Sequence, residues 1–210
     1  MNAPAIETER LTKRFDETTV VDDLDLTVPA ESVYGFLGPN GAGKTTTMRM
    51  LTTLTTPTSG TARVVGNSVA DREAVVSHVG YLPEEPPLYD ELTGREQLRY
   101  VAGLRDMDES AADERIDALL DRLDLADDAD DRVGTYSKGM KQKAALVQAI
   151  LHEPDVVFLD EPTSGLDPRA ARTVRDLVAE LTDRGMTVFL STHILPVVEE
   201  LADTVGVLYD

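Results

Sequence analysis

Residues 38–46 read GPNGAGKTT and stand between the apolar run VYGFL and the helix-forming run MRML. Gly38, Gly41 and Gly43 allow backbone conformations that turn successive N–H groups inward, and the helix that follows adds its positive end. The spacing of glycine, four residues, glycine, lysine and threonine is that of a loop built to cradle phosphates. Pro39, Asn40 and Ala42 complete the cradle and Thr46 closes it. Lys44 is expected to reach the β- and γ-phosphates of a nucleotide, and the Thr45 hydroxyl to hold Mg²⁺.

A second chemical element is VVFLDE, residues 156–161. A short apolar strand that delivers Asp160 beside a phosphate loop can position the Mg²⁺ shell, and Glu161 can then accept a proton from an attacking water. Alone, two acids after four apolar residues are equally an N-cap and a surface glutamate. Paired with the phosphate loop they argue for an Mg²⁺-dependent nucleoside triphosphatase.

These residues need a scaffold. Leu24, Leu26 and Val28 alternate with Asp25 and Thr27, the period of a half-buried strand, and Val33–Leu37 forms a second strand that feeds the glycine loop. From Lys44 to Leu54 no breaker interrupts a helix, until TTPTSG turns the chain. Ile116, Leu119, Leu120 and Leu123 recur at helical spacing, with Ser110 where an N-cap would stand. Val156–Leu159 reads as a strand buried on both faces. Asp167 caps a helix with Pro168 at its first position, whose buried face is Val174, Leu177, Val178 and Leu181 and which stops by Gly185. Thr187–Leu190 and Val205–Tyr209 are the last apolar runs. Short strands alternating with helices predict an α/β fold with a largely parallel sheet. Ligands bind such sheets beyond the carboxyl ends of the strands, so the residues after Leu37, Leu159 and Leu190 should meet at one site.

Composition narrows the chemistry further. The 210 residues suit one domain with a subdomain, and no apolar run is long enough to span a bilayer. MNAPAIETER lacks the regions of a signal peptide, which predicts a cytoplasmic chain. The absence of cysteine excludes a disulfide framework and a thiolate zinc site. With 39 acidic and 20 basic residues the net charge is −19, which opposes direct binding to nucleic acid. Only Lys13, Lys44, Lys138, Lys141 and Lys143 are lysines, and Asp106–Arg132 carries 12 acids against three arginines. An acidic, lysine-poor surface is expected of proteins from salt-loaded cytoplasms, where the Debye length shrinks to about 3 Å at 1 M. The composition therefore predicts a halophilic source; an acidic solvated face without a special habitat is the alternative.

Four further segments carry a family resemblance. YSKGMKQK (136–143) resembles the signature loop of the ABC-type ATPases, SGLD (164–167) the D-loop, STH (191–193) the switch histidine, and GYLPE (80–84) the segment that enters the Q-loop. Their order and spacing resemble an ABC transporter ATP-binding subunit over essentially the whole chain. The resemblance implies a phosphate-loop core with a largely parallel sheet, an N-terminal antiparallel β subdomain and a helical subdomain at about 84–135 within a single domain. It implies ATP and Mg²⁺ as cofactors, with Lys44, Glu161 and His193 catalytic and His193 at the γ-phosphate. Phe15 occupies the place of the aromatic that stacks on the base; an ordinary core phenylalanine is the other reading. Ser137, Gly139 and Asp167 are expected at the nucleotide held by a second ATPase subunit, identical or paralogous, so that two chains sandwich two ATP molecules head to tail.

The resemblance also implies integral-membrane permease subunits as partners, which would hold the chain peripherally at the inner face of the cell membrane. The stretch Thr93–Val133 and the apolar residues Leu88, Tyr89 and Leu92 of a loop-like segment would meet them, unless that loop packs on its own domain. VDDLDLTV, GYLPEEPPLYDELTGREQL and YSKGMKQK are more similar to subunits of multidrug or ion exporters than to those of importers. The alternative is a non-transport ATPase of the same family, such as a cluster-assembly subunit. Two positions depart from the family pattern. Glu84 stands where glutamine is usual, so it binds metal through water or Glu85 takes part instead; Lys138 replaces a glycine and either attracts the opposing γ-phosphate or faces solvent. Chains of the family continue past VGVLY into a hairpin, so the sequence is expected to be a truncated form.

Overall fold

The computed structural model describes residues 3–209. Met1, Asn2 and Asp210, on which the expectations about a leader and a natural end bear, lie outside them. Along the chain run β1 (Ile6–Phe15), β2 (Thr18–Val28), β3 (Val33–Leu37), α1 (Lys44–Leu51), β4 (Ser59–Val64), β5 (Asn67–Ser68), α2 (Arg72–Val76), β6 (Val79–Leu82), α3 (Gly94–Leu104), α4 (Glu109–Arg122), α5 (Lys138–Ile150), β7 (Val156–Asp160), α6 (Pro168–Asp183), β8 (Thr187–Thr192), α7 (Leu195–Leu201) and β9 (Thr204–Val207). Two compact units result: one comprises the chain up to Pro83, Pro154–Pro162 and the chain from Leu177, the other Glu84–Glu153 and Thr163–Asp176.

The first unit holds two sheets. β2-β1-β4-β5 is antiparallel, and β6-β7-β8-β3-β9 is parallel throughout. Every residue of β7 and β8 is buried, which is why VVFLD and TVFLST carry unbroken apolar runs rather than an alternation. Phe189 on β8 gathers the core: its ring lies 5.4 Å from Tyr34, 5.2 Å from Phe36 and 5.4 Å from Phe158, measured between centroids. Three strands are thereby clamped by aromatic contact directly below the ends that carry chemistry. The register completes the alignment, with Leu37 opposite Thr192 and Asp160 opposite Ser191.

Three sequence expectations shift. α1 stops at Leu51 rather than Leu54, because Thr53 turns left-handed at φ 61° and the N–H groups of Leu54 and Thr55 both return to the Arg49 carbonyl. Ser110 does not cap α4. Asp108 does, its carboxylate accepting the Ala111 N–H at 3.0 Å, where its charge also suits the positive end of the helix. The last strand is Thr204–Val207, paired only with β3, and leaves Val205 and Val207 exposed.

The second unit is built on α3, α4 and α5. Thr93 and Glu96 close a reciprocal capping box at the start of α3. Leu98, Ile116, Leu120, Val133 and Leu146 are fully buried. Arg99 grips Asp113 through two hydrogen bonds of 2.6 and 2.7 Å, and Arg95 binds both Asp117 and Asp130, so arginines from α3 tie down the acid-rich α4. The Arg99 guanidinium holds the Asp113 carboxyl below the usual carboxylate range. α6 starts here with Asp167 as its cap, accepting from the N–H groups of Arg169 and Ala170 at 2.9 and 3.0 Å.

Candidate active site

The loop between β3 and α1 carries the first group of candidates. Gly41 and Gly43 sit at φ 92° and 96°, and a Cβ on Gly43 would lie 2.6 Å from the Val20 carbonyl oxygen, so glycine is obligatory there. Among the described residues the N–H groups of Asn40 and Gly41 have no protein acceptor. Lys44 is buried, and its ammonium donates to the carbonyls of Gly38 at 2.7 Å and Pro39 at 3.1 Å, which folds the side chain back over its own loop. Beside the loop, a cavity of about 450 Å³ is bounded by β2 from Thr18 to Asp22, by Gly41 and Ala42, and by Leu208 and Tyr209. Phe15, paired with Thr18 across the hairpin, is 47% exposed, which excludes the core reading; the Lys13 ammonium lies 4.8 Å from its ring centre.

The ends of β7 and β8 supply the second group. Asp160 is buried and accepts from Thr45 Oγ1 at 2.7 Å through Oδ2 and from Ser191 Oγ through Oδ1. Glu161 is also buried. Its Oε1 lies 2.8 Å from His193 Nδ1 and 3.9 Å from the Lys44 ammonium, while its Oε2 accepts from Thr192 Oγ1 at 3.0 Å. The backbone of Glu161 is left-handed at φ 49°, a strained conformation for a residue with a side chain, held by its N–H bond to the Ser191 carbonyl at 3.0 Å. The structure thus brings together the glycine loop, Lys44, Thr45, Asp160, Glu161 and His193, with two neighbouring carboxylates each held by hydroxyls.

Sequence reasoning missed those hydroxyls. Ser191 and Thr192 precede His193 in the STH run, and their place at a strand end was the available signal. It also missed Tyr81 on β6. Burial and the charge of Asp160 push the Tyr81 hydroxyl up to about 12, and the hydroxyl, close to the Arg49 guanidinium, makes no well-formed hydrogen bond.

Ser137, Gly139 and Asp167 lie in the second unit. Ser137 caps α5, accepting the Met140 N–H at 3.2 Å, and remains exposed. The SGLD loop packs on this turn: Leu166 lies 3.6 Å from where a Cβ on Gly139 would stand, and the Lys138 side chain runs across Gly165, its nitrogen 2.6 Å from such a position. Lys138, an exposed residue, therefore lies along the loop while remaining open to solvent. Bonds from the Ala170 and Arg169 N–H groups, with the charges of Lys143 and Arg169, hold Asp167 below the usual carboxylate range. Glu84, exposed, opens this unit.

The donor set fits one kind of metal. Thr45 and Asp160 offer a hydroxyl and a carboxylate oxygen side by side, and among the described residues no cluster of three or more His, Cys, Asp or Glu could hold an ion unaided. That suits a hard cation such as Mg²⁺, which keeps most of its ligands from water and phosphate.

Comparison with known proteins identifies the family. The ABC transporter family profile matches residues 21–164. The chain is 40% identical over 207 residues to the bacitracin transport ATP-binding protein BcrA of Enterococcus faecalis, covering 98% of this chain and 66% of that one. It is 44% identical over 205 residues to the daunorubicin/doxorubicin resistance ATP-binding protein DrrA of Streptomyces peucetius, covering 97% and 62%. The chain thus spans just under two thirds of the length of these curated relatives. A solved structure of the ATP-binding subunit of an ABC transporter superposes with a TM-score of 0.90 at 33% identity, covering 98% of this chain and 86% of that one. On the family profile, these relatives and this superposition, the chain belongs to the ABC transporter family, among its ATP-binding subunits.

Proposed function

We propose that the chain binds ATP with Mg²⁺ and hydrolyses it to ADP and phosphate, as the motor subunit of an ABC transporter whose permease subunits span the membrane. The observation that carries this reading is the carboxylate of Glu161, buried, turned by Thr192 and His193, and placed beside Lys44 and the Thr45–Asp160 pair. The inward N–H groups and Lys44 bind the phosphates, with Lys44 exchanging its carbonyl partners for phosphate oxygens. Phe15 and the cavity next to Gly41 and Ala42 receive the nucleoside. Thr45 and Asp160 would hold Mg²⁺, which neutralises charge on the β- and γ-phosphate oxygens. Glu161 takes a proton from water as the water oxygen bonds to the γ-phosphorus and the bond to the ADP oxygen breaks. His193 orients Glu161 and the γ-phosphate.

The signature turn at Ser137 and Gly139 serves the nucleotide of a second subunit, identical or paralogous, so ATP binding closes a head-to-tail dimer. Export is the direction we favour, since the relatives' names refer to bacitracin transport and to drug resistance. Tyr89 and Tyr100, edge to face at 5.6 Å and about half exposed, form the surface we assign to the permease, and this contact would keep the chain at the inner face of the membrane. Among the described residues no helix is long and apolar enough to cross a membrane. The acidic composition supports a salt-rich cytoplasm as the working environment.

Phosphate release from the purified chain tests the reading. Glu161→Gln should keep MgATP binding while turnover falls about 10²-fold or more, the scale of a general base. Turnover near wild type would remove Glu161 from that role.

A further inference from the structure

The Thr192 hydroxyl is fixed from both sides. It accepts the Ile194 N–H at 3.1 Å, so its own hydrogen is left to donate, and the donor geometry leads to Glu161 Oε2 at 3.0 Å. Thr192 is 1% exposed and closes β8, a strand whose side chains are all buried. The hydroxyl therefore cannot swing to solvent. The other carboxylate oxygen, Oε1, faces His193, whose side chain is 45% exposed, and the Lys44 ammonium. One oxygen of Glu161 is thus tied into the protein interior and the other is turned toward the loop and the open side of the site.

We infer that Thr192 is the positioning residue for the base: it anchors Oε2 so that Oε1 is the oxygen that accepts the proton from water. This rests on the reading of Glu161 as general base. The left-handed backbone at Glu161 gives the anchor its purpose. At this buried strand end, hydrogen bonds to Thr192 and His193 at opposite oxygens fix the carboxylate. With Oε2 free, the carboxylate could rotate toward Lys44 and form a closer ion pair that withdraws the base from water. Ser191 plays the equivalent part for Asp160, so β8 ends in two hydroxyls that hold two neighbouring carboxylates to separate tasks.

The experiment compares Thr192→Val, which keeps the shape and removes the hydroxyl, with Thr192→Ser, which restores it, each alone and combined with Glu161→Gln. Thr192→Val should lower kcat about tenfold or more, the cost of a misplaced catalytic group, while KM for MgATP stays within about twofold. Thr192→Ser should recover most of kcat. In the Glu161→Gln background Thr192→Val should cost nothing further, since the two residues act as one unit. Melting temperatures identify a folding defect: loss of the Ile194 N–H partner destabilises the start of α7 in Thr192→Val, and rescue by serine with additive losses in the double variant would then overturn the inference. So would a wild-type kcat for a folded Thr192→Val. If Glu161→Gln alone turned over normally, the base assignment itself would fall, and the inference with it, a result distinguishable because Thr192 would not have been needed to produce it.

Discussion

The Lys44 ammonium stands 3.9 Å from the Glu161 carboxylate, with both side chains buried. The cation we assign to phosphate binding and the anion we assign to proton transfer are thus held at the edge of ion-pair distance, with the carbonyls of Gly38 and Pro39 engaging one and Thr192 and His193 the other. Nucleotide phosphates entering the loop would compete for the lysine and leave the glutamate free for water.

Lys44→Ala should therefore remove MgATP binding, not only turnover, whereas Glu161→Gln should leave affinity intact. Equilibrium binding of a fluorescent ATP analogue to both variants checks this. Tight binding by Lys44→Ala would contradict the phosphate-loop assignment.

Tyr81 provides a pH test. Its pKa of about 12 exceeds the ordinary tyrosine value of 10.0, so the folded state holds the proton more tightly than the unfolded chain. The resulting stability is fully present below pH 10 and is lost as the pH rises from there toward 12. Denaturant titrations at pH 9 and pH 11 should show wild type losing more stability than Tyr81→Phe. Parallel losses would mean that the hydroxyl is not held neutral beside Asp160.

The turn that carries Tyr89 is bound to α5 at both ends. Asp90 pairs with Lys141 at 2.7 Å, the Asp90 carbonyl accepts the Gly134 N–H at 3.0 Å, and Gln97 accepts the Tyr89 N–H while donating to Gln148. A partner that grips Tyr89 and Tyr100 would thereby move the signature turn. Lys141→Glu should weaken ATP-driven dimerisation in the Glu161→Gln background without changing nucleotide affinity, and adding Asp90→Lys should restore it. Sedimentation velocity reads the dimer; failure of the swap to restore it would leave the pair as surface decoration, which exposed ion pairs often are.

Salt provides a further prediction. With a net charge of −19 and α4 laced by arginine–carboxylate pairs, screening should relieve repulsion more than it weakens those pairs. The melting temperature should rise between dilute buffer and molar KCl at neutral pH. No rise would favour an ordinary acidic surface.

Much of the parallel sheet and the placement of the candidate residues at its strand ends was legible because glycine spacing and buried strands leave local signals. GPNGAGKTT, VVFLDE and the cap at Asp167 each specify their geometry within a few residues. What was not legible depends on register between distant strands: nothing in STH says that Ser191 would face Asp160 and Thr192 would face Glu161, because parallel pairing of β7 with β8 sets those partners 31 residues apart. The cap at Asp108 was missed for a different reason, since DES offers two capping residues two positions apart and only the helix start chooses between them. Phe15 shows the limit of residue type alone: its sequence context admitted a core ring beside the stacking one, and only its exposure separates them.

The most direct test of the central claim is phosphate release from the purified chain with MgATP, followed across protein concentrations from well below to well above the onset of self-association. A composite site shared by two copies predicts release whose rate per chain rises with concentration and then levels off, and which Glu161→Gln lowers about 10²-fold or more. A rate per chain independent of concentration would contradict the shared site, and release no greater than that of Glu161→Gln at every concentration would contradict the chain as an ATPase acting with its own copy.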